Sequence, residues 1–288
     1  MKTRLLLIAL LLFSVLLAAC QPQGAPVPQD PLEAVKTISE KQKDVKSQHV
    51  DMKMNLNLKL DGLSGDAAQA AALFKNFKGQ LNLSGDVDNA TENLALKGDV
   101  DLGPLTAFLS QGEEKITFDL VKVGQKMYTK SNVGDSANKW SDQDLPESAK
   151  QEDNPLNPEM VMGLLKKSSK AEKLADEKIG DTDTLHYKVT LDPTTQLDSI
   201  SSLAASTGGA SEVDQKQMDE AKKVLKDSTL EVELWAGKQD LLIRKALVHF
   251  NLNLKDIPDQ PGASALIDFT LEDTISKINQ PVTITAPQ

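Results

Sequence analysis

The sequence predicts an α+β protein built on one large antiparallel sheet. Two observations carry this. Residues 49–60 alternate without error: every even position from Val50 to Leu60 is apolar, and every odd position from Asp51 to Lys59 is charged or amide. Side chains of a strand alternate between faces, so this is a long strand with one dry and one wet face. The same alternation returns at 77–87, 93–102, 115–123, 242–254 and 265–272, separated by short turn sequences. Strands in such a series form antiparallel meanders, and a dry face of this size has to be covered.

The amino end comes first in order. Lys2 and Arg4 precede an apolar run from Leu5 to Leu17 that ends in Leu17-Ala18-Ala19-Cys20. A positive start, a short apolar run and small residues read as a secretory signal rather than a spanning helix. Cys20 is the only cysteine, so it has no disulfide partner and no metal cluster. Residues 21–31 hold four prolines and no aliphatic cluster. They read as a semi-extended tether of roughly 30 Å.

Residues 31–48 read as a first helix, with Asp30 as N-cap, Pro31 at the first position, and Leu32, Val35 and Ile38 on one stripe. After the strand at 49–60 comes a turn at 61–65 and an alanine-rich segment at 66–74, read as a helical insertion. Gly79, Gly85 and Gly98 occupy the apolar register of the next two strands. They serve either curvature or space for a ligand. Residues 126–130 continue the meander, and 145–158 read as a long surface loop. Helices are expected at 158–165 behind Asn157, at 171–175, at 194–205 and at 213–225. The segment 195–212 reads as a mobile lid or a plain connector. A strand at 185–191 and three at 229–235, 242–254 and 265–272 complete the pattern.

Composition narrows the function. Without Lys2 and Arg4, 30 basic residues face 42 acidic ones, which disfavours nucleic acid and anionic lipid surfaces as direct partners. Aromatic residues are 4% of the chain, so the dry faces are aliphatic and suit hydrocarbon chains. Met52 and Met54 are adaptable fillers for a pocket of variable content. The competing reading is a core filled by helices, with no pocket. His49, His186 and His249 stand singly in strands and read as surface residues. Asp51, Asp86, Asp99 and Asp101 lack a calcium-loop spacing. There is no nucleophile elbow, phosphate loop or paired histidine motif, and no cofactor is implied. The chain therefore reads as a binding protein and not an enzyme. A solute-binding lipoprotein with alternating strands and helices fits the meanders poorly.

Two resemblances add to this. Leu17-Ala18-Ala19-Cys20 resembles the lipobox of bacterial lipoproteins, which implies a diacylglyceryl thioether on Cys20 and cleavage after Ala19. The physics agrees, because two or more acyl chains hold a protein stably on a bilayer. The order of lipobox, tether, helix, long strands, Tyr128 and Trp140, Leu185-His186-Tyr187-Lys188-Val189, Val232-Glu233-Leu234-Trp235 and Pro281-Val282-Thr283-Ile284 resembles the LppX/LprG lipoproteins of the LolA-like superfamily. That resemblance implies a strongly curved antiparallel half-barrel with helices packed on its concave face. It implies an apolar cavity for acyl chains of a lipid or lipoglycan, carried within the cell envelope. The organisation is then a signal peptide at 1–19, an acylated cysteine and tether at 20–31, and one domain at 32–288. The location is the extracytoplasmic face of the cell membrane. The candidate lining residues are Met52, Met54, Leu56, Leu58, Leu81, Leu96 and Val248. LolA-like domains also act as envelope sensors that bind a membrane-protein partner, which is the alternative function.

Overall fold

The computed structural model describes residues 26–65, 69, 72–110, 112–134, 137–145, 165, 170–196, 225, 228–255 and 262–288. The chain enters through helix α1, Pro31–Lys41, whose Asp30 cap accepts a hydrogen bond from the Glu33 amide at 2.9 Å. The helix ends sooner than its sequence pattern predicts. A single 3-10 turn, Gln42–Asp44, follows, and strand β1 begins at Ser47. Val45 already has extended backbone, and Gln42 shows why the helix stops there. Its amide donates to the Leu241 carbonyl at 3.1 Å and accepts from the Ile243 amide at 3.1 Å, which fastens the helix end to a distant turn.

The strands are β1 Ser47–Asp61, β2 Asn76–Asp88, β3 Asn93–Asp101, β4 Ile116–Val123, β5 Lys126–Ser131 and β6 Ser141–Asp144. The second series is β7 Lys170–Lys173, β8 Glu177–Ile179, β9 Thr182–Leu191, β10 Thr229–Gly237, β11 Ile243–Lys255 and β12 Ser264–Ser276. All belong to one antiparallel sheet in the order β6-β5-β4-β3-β2-β1-β12-β11-β10-β9-β7, with β8 paired to β9. The sheet is curved and unclosed. Two meanders are therefore sewn together along one seam, β1 against β12, thirteen residue pairs long from His49–Ser276 to Asp61–Ser264. The long alternating strand, fifteen residues and the longest described, stands at this seam between the halves.

Four elements differ from the sequence expectations. Residues 171–175 were expected to be helical. Instead Lys170–Lys173 is an edge strand, because Ala171 pairs with Val189 of β9 and joins the dry face there. A short helix α2, Pro104–Leu109, follows Gly103, whose φ of +59° suits glycine. It was not anticipated, nor were β6 and β8. Of the alanine-rich insertion, Ala72–Phe74 forms a 3-10 turn. The leader, Cys20, the loop from 146 and the proposed lid at 197–212 lie outside the described residues. So do residues 158–164, 197–205 and 213–224, where helices were expected. Leu165 is helical and fully buried, and Leu225 is helical and buried.

The core sits on one flank of the sheet. Ala34, Val35 and Ile38 of α1 and Leu165 form one cluster with Leu185, Tyr187 and Val189 of β9 and Val232 and Leu234 of β10. None of the described helices is long and apolar enough to cross a membrane.

Candidate functional site

Opposed residues of an antiparallel pair project to the same side, so the strand registers define the faces. One transverse row runs Ile116, Val100, Leu81, Met54, Leu271, Val248, Val232, Val189, Ala171 across nine strands. Every member is aliphatic. The next row toward the β1 terminus opposes Leu56 to Phe269 and Gly79, and the one after opposes Leu58 to Ile267 and Phe77. The seven residues chosen from the sequence all fall on this face. Met52, Met54, Leu56 and Leu58 follow one another along β1, Leu81 and Val248 share the Met54 row, and Leu96 opposes Gly85, which opposes Val50.

The face is unevenly covered. On β9 and β10 its side chains are sealed, with Val189, Val232 and Leu234 at 0% exposure. On β1 and β2, Met52, Met54, Leu56, Leu58 and Leu81 are half-buried. Val248 is half-buried, and Leu96 is buried at 5%. Half-buried aliphatic side chains in a continuous band are unusual for a finished core, since completing the burial of each would add roughly 1 kcal/mol. They form a surface that is apolar but not filled.

The glycines of this face resolve in favour of curvature. A Cβ at Gly85 would lie 2.0 Å from the Ala95 carbonyl oxygen, and one at Gly98 would lie 2.7 Å from Asn82 O, Leu83 and Phe118. One at Gly79 would lie 3.1 Å from the Phe77 ring. Neighbouring backbone and side chains already use these spaces, so the glycines permit close approach of bent strands rather than leaving room for a ligand.

The opposite face is polar and self-paired. Lys115 and Asn82 hydrogen-bond Asp99 and hold its carboxyl below the usual range. His249 does the same for Asp268 at 3.0 Å. Shallow open depressions lie here, one of about 590 Å³ over Asp51, Lys53, Asn82, Ser84, Lys97 and Asp99. His186 corrects the expectation of three surface histidines. It is 5% exposed, stacked on Trp235 with ring centroids 4.1 Å apart, and its Nε2 lies 2.8 Å from Glu233. Glu177 of the unforeseen β8 hairpin accepts from the Trp235 indole at 3.1 Å and covers the pair. Alternation did suggest that His186 left the dry face. Only the register, His186 opposite Trp235, reveals the stack. No cluster of three or more metal-ligating side chains occurs among the described residues.

No protein-family model matches the chain, and no curated protein matches it in sequence. Two solved structures align with most of the chain. The lipoprotein LppX from Mycobacterium tuberculosis has 16% identity and a TM-score of 0.41, covering 88% of this chain and 98% of its own. LprF from Mycobacterium bovis has 15% identity and a TM-score of 0.47, covering 90% of this chain and 99% of its own. Both are similar to this chain along most of its length.

Proposed function

We propose that this protein binds acyl chains of a lipid or lipoglycan against the apolar face of its sheet and carries or presents them within the cell envelope. Cys20 carries the lipid anchor that holds the domain at the extracytoplasmic side of the membrane, and the chemistry is binding rather than catalysis. One observation supports this reading above the others. The aliphatic band along β1 from Met52 to Leu60 is continuous, long and only half-buried. Hydrocarbon is the chemistry that such a surface takes up, because burial of apolar area is favourable and needs no directional partner. Met52, Met54, Leu56, Leu58 and Leu81 form the open part of the binding surface, with Leu96 and Val248 at its borders. Helices on the concave side complete the enclosure.

The test uses the full chain carrying Cys20→Ser, so that no covalent anchor confuses the result. Organic extracts of the purified protein are expected to contain acyl lipid by mass spectrometry, and the protein is expected to take up a fluorescent fatty acid. Met54→Glu places a charge in the band and is expected to abolish uptake while the fold persists. An empty protein that takes up no probe contradicts the proposal.

A further inference from the structure

One residue of the apolar face is out of character. Asp273 of β12 opposes Met52 on one side and Ala246 on the other. Leu271 and Ile275 flank it on the same face, two residues away in each direction. Its Oδ1 is buried without a hydrogen-bond partner. The two basic side chains of the adjacent β11 nearest this row are engaged elsewhere, Arg244 on Asp240 and Lys245 on Glu272 at 2.7 Å. Burial, with a smaller contribution from the negative Asp51 on the neighbouring strand, pushes the Asp273 carboxyl up to about 6. A buried acceptor left unsatisfied is costly, and nothing in the packing of the sheet needs one here.

Its place on the face gives it a use. Asp273 stands at the border between the sealed flank, where Leu234 shares its row through Ala246, and the open band that begins at Met52. From the Met52 row to Leu60 the band extends eight residues along β1, roughly 27 Å, enough for a long acyl chain laid along the strand. We infer that Asp273 is the polar recognition point of the acyl-binding face and accepts a hydrogen bond from a hydroxyl of an uncharged ligand head, of the glyceride or glycosyl type. This rests on the acyl-binding reading. An anionic head would meet Asp273 with like charge. An ammonium head would be desolvated among Met52, Ala246 and Leu271 with a single partner, whereas a hydroxyl loses far less on leaving water.

Competition against a bound fluorescent fatty acid tests this on the full chain at pH 7.5, with monooleoylglycerol, oleate and oleylamine as competitors. The wild-type protein is expected to favour the glyceride over oleate on the order of tenfold. Asp273→Asn keeps an acceptor without charge, so it is expected to retain glyceride binding and to bind oleate more tightly. Asp273→Leu is expected to bring the glyceride-to-oleate ratio near one. The same ratio in all three proteins overturns the inference and leaves acyl binding intact. Oleylamine binding more tightly than the glyceride overturns the uncharged head. A wild-type protein that takes up no probe overturns both readings together.

Discussion

The two flanks of this sheet are made of the same material and finished differently. On β9 and β10 the apolar face lies under α1 and Leu165, and its side chains are fully sealed. On β1 and β2 the same rows continue in Met54, Leu81, Leu56 and Leu58, yet these side chains stay half-buried. The residue types hardly change across the seam. What changes is the cover. One flank holds the fold together, and the other keeps apolar area that folding leaves partly unused. A binding protein needs both, because a surface satisfied by its own chain has nothing left for a ligand.

Substitutions can break or sharpen this contrast. The largest effect is expected at Leu234, where truncation to alanine opens a hole in the sealed flank and costs about 3–4 kcal/mol by urea denaturation. Gly85→Ala forces a methyl toward the Ala95 carbonyl and is expected to cost about 2–3 kcal/mol. Asp273→Asn moves in the opposite direction. The Asp273 carboxyl titrates at about 6 in the folded protein against an ordinary 3.8. Between these values the folded state holds more protons than the unfolded one, so this residue lowers stability as pH rises from about 4 to about 6. Asp273→Asn is expected to stabilise by about 2–3 kcal/mol at pH 7 and by almost nothing at pH 4. Asp99 and Asp268, held below the usual range, work against this and lose stability as pH falls. The difference between variant and wild type isolates Asp273. The smallest effect is expected at Leu58, where truncation to alanine on the half-buried flank costs about 1 kcal/mol. Equal costs at Leu234 and Leu58 would remove the distinction between the flanks.

Much of this was legible in the sequence, and the reasons are local. A period of two is a property of consecutive residues, so β1, β2, β3, β10, β11 and β12 could be read within a few residues of their ends, along with the shared face of Met52, Met54, Leu56 and Leu58. The Asp30 cap of α1 was equally local. Long-range facts were not legible. The pairing of β1 with β12 brings together residues over 200 positions apart, and it alone sets Asp273 beside Met52. Within its own strand, Asp273 stands between Glu272 and Thr274 and looks like one more solvated acid. The edge strand at Ala171 was misread as helix for the same reason, since its conformation is imposed by β9 rather than by its own residues. His186 looked exposed because Trp235 and Glu177 reach it from other strands.

The location of a bound acyl chain is the most direct test. A fatty acid bearing a nitroxide on its chain, added to protein carrying methyl-labelled methionine and valine, broadens the NMR signals of methyls close to it. The account predicts loss of the Met52 and Met54 methyl signals, while the Val232 methyls of the sealed flank persist. Unchanged Met52 and Met54 signals at saturating ligand would contradict it.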